Sequence, residues 1–452
     1  MLSAYLNCYK IPELRKRLLF TLAIIALCRL TCYIPCPGVD PAVIRGLLAR
    51  IGGQGQGGFL DVFDMFSGGA MEKFAVGALG IMPYISASIV LQMMTPVIPQ
   101  LSRMLREGEA GHQKYNSIMR WITLVICVIQ GGMFALAMTR GDDGSSAMRE
   151  MGFGFILMTI VSLTAGAMLV MWLGEMISEH GIGNGASLII TVNIIARLPV
   201  AVTSLVKLVL SGVQTGDATL TPVHLVILLL LFFAVTAGTI ALTQGHRRIP
   251  ICYASRRMAG VGQSTVIQTS YLPLRVNYSG VMPIIFAGAI LSFPLMFLRF
   301  APAHWTWVGK VASFLQYGSL SYILIYAVLI LLFSFFWVAN QFNPIQIADD
   351  LQKSSGYIPS IQPGEPTARF LDHAMTRITF AGGLFLTILA IFPMILSDKL
   401  DVPPNIAHFF GGTSLLIIVG VGLDTLRQME NYLMAHHYDG FMEHGRLRSR
   451  RG

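Results

Sequence analysis

Apolar and polar positions in this chain change over on a scale of about twenty residues. Ten long apolar stretches alternate with polar connectors, at roughly 18–36, 74–94, 118–138, 153–173, 186–206, 223–242, 280–298, 319–339, 375–396 and 407–426. A helix rises about 1.5 Å per residue, so about twenty residues cross a hydrocarbon core of roughly 30 Å. Lipid offers no partner to the backbone, so stretches of this length read as helices. The pattern predicts an all-α, polytopic membrane protein with ten transmembrane helices. A soluble core does not shelter ten such segments, and only 12% of the residues are charged.

The connectors carry an excess of positive charge, and it is unevenly divided. With ten spans, 21 of the 32 Lys and Arg fall on the side of both termini and nine on the other. By the positive-inside rule the richer side is cytoplasmic. Arg29 and Arg197 are the two left over, inside or at the ends of spans. The basic stretch before Leu18 resembles the start of a signal peptide. The apolar run after it is long and ends at Pro35-Cys36-Pro37-Gly38, so it reads as an anchored first span.

Hydrophobic residues make up 54% of the chain, which agrees with membrane burial, and the net charge of +9 bears on topology and surface partners. Cys28, Cys32 and Cys36 recur every four residues on one helix face. They read as small residues that let helices approach, with a metal or redox role as the alternative. Carboxylates avoid the span centres, with Glu175, Asp398 and Asp424 near ends, and the ten His lie in loops or at membrane edges. An ion-coupled transporter needs such groups deep in its spans. No His-Glu-x-x-His occurs, and no Gly-x-x-x-x-Gly-Lys-Ser/Thr that would cradle a nucleotide. No metal or cofactor is expected, and no catalytic residues.

Two regions depart from the alternation. A glycine-rich tether at 52–58 leads into Phe59-Leu60-Asp61-Val62-Phe63-Asp64-Met65-Phe66-Ser67-Gly68-Gly69-Ala70. That segment is too short to span and too apolar for an ordinary loop, so it reads as re-entrant or as lying on the membrane surface. The other departure is a pair of long cytoplasmic connectors, 243–279 and 340–374. Their Pro-Leu-Arg and Pro-Gly-Glu-Pro runs are expected to form ordered turns. A basic surface there suits a large partner such as an ATPase or ribosomal RNA, or it serves only to set orientation.

Several strings together resemble the SecY family of protein-translocation channel subunits. They are Met65-Phe66-Ser67-Gly68-Gly69-Ala70, Ala78-Leu79-Gly80-Ile81-Met82-Pro83-Tyr84-Ile85-Ser86-Ala87-Ser88-Ile89, Met171-Trp172-Leu173-Gly174-Glu175, Gly181-Ile182-Gly183-Asn184-Gly185, Arg247-Arg248-Ile249-Pro250, Leu272-Pro273-Leu274-Arg275-Val276-Asn277, Pro363-Gly364-Glu365 and Phe410-Gly411-Gly412-Thr413-Ser414-Leu415-Leu416. They occur in family order over most of the chain.

The resemblance implies two five-helix halves, 1–206 and 207–426, around an hourglass pore, followed by a basic cytoplasmic tail at 427–452. It makes 59–70 a plug. It puts Ile81, Ile85, Ala186, Ile190, Ile285 and Ile417 in a pore ring, where Ala186 is smaller than the usual aliphatic. Ile81 and Ile85 are spaced i, i+4, on one face of the second helix. Physical chemistry supports an apolar ring: a narrow greasy neck dewets and holds back ions while passing varied side chains. Along a lateral gate, formed by the second and third spans against the seventh and eighth, the polar candidates are Ser86, Gln130 and Asn277.

The resemblance also implies partners: small SecE-like and SecG-like membrane subunits, a SecA motor ATPase or the ribosome, preproteins with signal sequences, and membrane lipid. Arg247, Arg248, Arg256, Arg257, Gln362 and Arg369 would form the docking surface. Gln362 stands where the family usually has Arg before Pro-Gly-Glu. The connector tip reads Met258-Ala259-Gly260-Val261-Gly262 where a basic pair is usual. The expected activity is passive conduction of unfolded preproteins across a bacterial inner membrane, with membrane helices released sideways. A small-solute secondary transporter, an insertase and a specialised accessory paralogue are the alternatives.

Orientation has a direct check. Gly216→Cys is expected to react with a membrane-impermeant thiol reagent in intact cells, and Gly260→Cys to stay protected. The reverse pattern would invert the topology.

Overall fold

The computed structural model describes residues 12–37, 64–139, 153–215, 222–253, 268–300, 311, 314–315, 319–400 and 413–444. The tether, residues 59–63, Arg256, Arg257, the connector tip and the start of the tenth stretch lie outside them. Each of the ten stretches falls on a helix. These are α1 (Pro12–Thr31), α2 (Met82–Met94), α4 (Glu109–Thr139), α5 (Phe153–His180), α6 (Gly185–Thr215), α7 (Pro222–Gln244), α8 (Met282–Phe300), α9 (Leu320–Gln341), α11 (Glu365–Leu400) and α12 (Thr413–His444). Two short helices, α3 (Pro99–Arg106) and α10 (Pro344–Lys353), lie between spans. Apolar side chains point outward along many of these helices. Trp121, Trp172 and Leu230 are all more than half exposed, as lipid-facing positions are.

α1, α4, α5 and α6 form one packed group, with α2 against α4 and α3 against α4. α8, α9 and α11 form another, joined by α7 and α12 through α11–α12 and α7–α12 contacts. The two groups meet along α2–α8 and α6–α12.

The second apolar stretch is only partly helical. Residues 71–81 run as successive turns, and the helix starts at Met82 with Pro83 in its first turn. Phe74 at φ 46° and Gly80 at φ 55° are left-handed, which a continuing helix forbids. Proline at the first helical positions, where an N–H has no partner, suits a helix start. Ile81 is therefore the N-cap of α2, and the Ile85 N–H closes the first turn onto its carbonyl at 3.1 Å.

The two long connectors, 243–279 and 340–374, fold together where they are described. Strand β1 (His246–Tyr253) lies between β2 (Gln268–Arg275) and β3 (Gly356–Tyr357), all antiparallel. The Pro273-Leu274-Arg275 run, expected as a turn, is strand, with Pro273 opposite Arg248. Pro250 lies on β1 beyond the two residues that pair with β3, where the missing N–H costs little. Ile249 and Ile251 point inward while Arg248 and Pro250 point out, the period of two expected of a half-buried strand. Ile249, Leu274 and Ile358 pack with Val338 and Phe342 at the end of α9 and with Leu371 and Met375 of α11. This three-stranded sheet is an addition to the helical class, confined to the connectors.

The Gly181–Gly185 string turns α5 into α6. Asn184 caps α6, its Oδ1 accepting from the Ser187 N–H at 3.3 Å. A Cβ on Gly185 would stand 1.8 Å from the carbonyl oxygen of Gly174, inside the backbone of α5. Gly185→Ala is therefore expected to destabilise by about 1–3 kcal/mol, an overpacking cost. Gly422→Ala on α12, with open space at its Cβ, is expected to be neutral. Thermal unfolding of both variants in detergent compares them.

Candidate functional site

All six ring candidates sit in the opening turns of helices: Ile81 and Ile85 at the start of α2, Ala186 and Ile190 in α6, Ile285 in α8 and Ile417 in α12. Five are buried, and Ala186 is half-buried. Together they belong to a single apolar cluster where the two helix groups meet, with Ala186 packed at its margin. Gly174 of α5 backs this cluster, its ideal Cβ lying 3.4 Å from Ile81 Cδ1.

The re-entrant segment enters the same cluster. Of the twelve residues 59–70, the last seven are described. Residues 64–67 form one helical turn, and Met65 and Phe66, with Met71 beyond them, pack into the cluster. Ser414 at the start of α12 lets its hydroxyl donate to Met65 Sδ at 3.1 Å. Ser67 and Ala70 are buried as well.

Around this apolar contact runs a set of polar bonds to the segment. Asn193 Nδ2 of α6 donates to the Phe66 carbonyl at 2.9 Å. Cys32 Sγ lies 3.5 Å from the Ser67 carbonyl, and Arg29 Nη1 donates to the Gly68 carbonyl at 3.2 Å. Three successive carbonyls at the end of a helical turn, groups with no partner in the turn itself, are thus received by three donors. Arg29 Nη1 also donates to Asn193 Oδ1 at 3.2 Å, which ties α1 to α6. Arg197 of α6 forms an ion pair with Asp64 and a second with Glu72 at 3.0 Å. Gly68 and Gly69 have φ of 69° and 86°, and a Cβ on Gly68 would lie 2.2 Å from Arg29 Nη1. The glycine pair therefore serves both the left-handed turn and the close approach of these side chains.

Arg29, Asn193 and Arg197 are the residues that sequence reasoning missed. The signal was available, because an arginine within a span is costly unless something inside the protein pairs with it. Only Cys28 lies on α1; the helix ends at Thr31, so Cys32 falls in the turn after it and Cys36 beyond, where its N–H donates to the Phe74 carbonyl, and the shared helix face expected of the three is not formed. All three are buried, and no metal-binding group of His, Cys, Asp and Glu occurs among the described residues.

The three gate candidates do not bond to one another among the described residues. Ser86 Oγ donates to the Met82 carbonyl of its own helix at 3.0 Å. Asn277 donates to the Gly280 carbonyl and accepts from Ser279, which orders the turn from β2 into α8. Gln130 is buried in α4, and its Oε1 has no hydrogen-bond partner among the described residues. On the surface of the connector sheet Arg247 and Arg248 are exposed on β1, and Gln362 is exposed ahead of α11. Arg369 pairs with Glu365 one turn earlier on α11, at 2.7 Å.

A family model described as SecY matches residues 75–426. The chain is 39% identical to the protein translocase subunit SecY of Chlamydia trachomatis over 453 aligned positions, covering 98% of each chain. In shape it resembles a SecY structure whose plug domain is described as stabilising the closed state of the translocation channel and maintaining a membrane seal. That match has a TM-score of 0.60 at 17% identity, over 95% of this chain and 97% of the other. It also resembles Sec61 from a canine ribosome–channel complex, with a TM-score of 0.59 at 16% identity and the same coverage.

Proposed function

The chain belongs to the SecY family, and from that footing we propose how its own residues form a protein-conducting channel that is closed at rest. The chain is a membrane-embedded translocase subunit of the channel-forming kind and not an enzyme. The observation that carries the residue-level reading is the shared apolar cluster: Met65 and Phe66 of the re-entrant segment, with Met71 just beyond it, share one cluster with Ile81, Ile85, Ile190, Ile285 and Ile417.

In this reading the aliphatic side chains form the constriction and residues 59–70 are its plug. The two halves, 1–206 and 207–426, are the jaws, and the basic tail lies on the cytoplasmic side with both termini. The neck blocks ions because water leaves a narrow apolar passage, and an ion there loses its hydration without replacement. A polypeptide in transit meets only non-directional contacts, so its sequence matters little. α2 and α8 are the helices along which the halves would part to release an apolar segment into lipid. Ser86, Gln130 and Asn277 lie at that seam. Ser86 and Asn277 bond locally and none of the three bonds to another, so packing holds the seam closed, and an intercalating signal-sequence helix need break no interhelical hydrogen bond between them.

Energy comes from partners on the cytoplasmic side. The sheet presents Arg247 and Arg248 outward, and Gln362 and Arg369 lie at the mouth of α11 beside it. A SecA motor or a ribosome would dock there, with Arg256 and Arg257 on the intervening connector. SecE-like and SecG-like subunits would pack on the lipid-facing helices of a bacterial inner-membrane complex. Co-purification in mild detergent tests for both small subunits.

Ile417→Asn is expected to raise ion conductance of the resting channel in planar bilayers, because a polar group wets the neck. An unchanged resting leak removes Ile417 from the ring.

The docking surface gives a second expectation. Gln lacks the planar cationic fork of Arg and cannot make its bidentate pair with a carboxylate or phosphate. Arg369, already paired with Glu365, is only partly free to replace it. Gln362→Arg is therefore expected to strengthen SecA binding by roughly 1–3 kcal/mol at low salt, with the gain shrinking at high salt. No gain at low salt means that Gln362 is not a docking contact.

A further inference from the structure

Apolar packing is non-directional, so it does not by itself fix the depth or rotation of a short segment resting in a neck. Something directional is needed, and it is found at the polar end of the plug. Arg197 reaches both carboxylates that flank the plug turn, Asp64 on its near side and Glu72 on its far side. Its guanidinium lies over the Gly69 backbone, where an ideal Cβ would come within 3.0 Å of Nε. The arginine and Asp64 are mostly sheltered, with side-chain exposures of 21% and 16%. Arg29, also on a spanning helix, holds the Gly68 carbonyl and the Asn193 amide together.

We propose that Arg197, with Arg29 and Asn193, is an ionic latch that sets the resting open probability of this channel by clasping the plug at Asp64, at Glu72 just beyond it, and at the carbonyls of Phe66 and Gly68. The proposal rests on the reading of 59–70 as a plug and names the device that regulates it. Two features of the chemistry suit a latch. Its cations are fixed on α1 and α6, the channel wall, while Asp64 and the carbonyls are on the segment that must leave and Glu72 stands just beyond its end. When the plug leaves, the released carboxylates and the exposed arginines each face the aqueous vestibule and are rehydrated, so opening leaves no charge in hydrocarbon. The latch can thus hold firmly and still be broken by an entering polypeptide.

Cys32 supplies a native reporter, since its thiol is buried against the Ser67 carbonyl and would face water once the plug departs. The experiment uses the full chain in its membrane complex, reconstituted into proteoliposomes, with Cys32 as the only cysteine. Both the alkylation rate of Cys32 by a water-soluble thiol reagent and the resting ion leak are measured. Arg197→Gln is expected to raise each about tenfold or more, the population shift that follows from losing a charge-assisted contact. Asp64→Asn is expected to act in the same direction without touching α6. The pair Arg197→Gln with Asp64→Asn is expected to do little more than Arg197→Gln alone, because that change already removes the Asp64 pair. Arg197→Lys is expected to restore part of the closure.

Unchanged Cys32 reactivity in both Arg197→Gln and Asp64→Asn overturns the latch, as does full additivity in the double variant. Deletion of 59–70 separates the two readings. A deletion that raises leak, alongside a silent Arg197→Gln, leaves the plug standing and removes the latch. A deletion that leaves leak unchanged removes the plug as a seal. If Arg197→Gln nevertheless exposes Cys32, the clasp on that segment holds but does not regulate conduction.

Discussion

Everything in this fold follows from one rule of the bilayer: a polar or charged group inside it must find its partner within the protein. The backbone meets the rule by forming helices, and the helices then leave no polar group of their own to bind one another. Charged side chains meet it by drawing other segments to themselves. Arg29 and Arg197 obey it by gathering the turn at 64–72. That turn in turn carries Met65 and Phe66 into the aliphatic cluster at the junction of the helix groups.

The site therefore combines two kinds of interaction with different jobs. In the proposed reading the aliphatic cluster is a neck that excludes water over a broad area and tolerates small shifts, which suits a conduit for varied chains. The polar bonds around residues 64–72 are directional. A barrier made only of the first kind would leak by sliding, and one made only of the second would pass ions once wetted. α2 shows how closely the two are joined. Its N-cap, Ile81, belongs to the aliphatic cluster, and the turns immediately before it connect back to the segment at 64–70.

Much of this was legible in the sequence, and the exceptions have physical reasons. Ten apolar stretches fall on ten helices because length and hydropathy alone fix a span. The beginning of α2 was not legible, since apolar turns at 71–81 have the same composition as helix, and only left-handed Phe74 and Gly80 separate them. The Pro273 strand was hidden because its pairing to Arg248 is distant in sequence. Ile81, Ile85, Ile190, Ile285 and Ile417 look like any lipid-facing isoleucine, and the family resemblance, not the pattern, gathered them. Asn193 and Arg197 gave the opposite case. Their chemistry was conspicuous in an apolar helix, but their partners lie 127 and 125 residues away in sequence, beyond the reach of periodicity. Ser86 and Asn277 show the limit of reading polar residues as bridges, since each has a nearer backbone partner.

The bend between α2 and α3 bears on how a seam lined by α2 can move. The two helices meet at 107°, and α3 buries Leu101 against α4 while Arg103 stays exposed. Such a crosspiece suits the membrane surface, where its apolar and basic residues would each be in the right medium. Driving α2 along its own axis would pull the crosspiece into hydrocarbon or lift it into water. Swinging α2 about that corner does neither. The mechanics of the corner thus favour a hinge over a piston, with α4 carried along as the leaf to which the crosspiece is fastened.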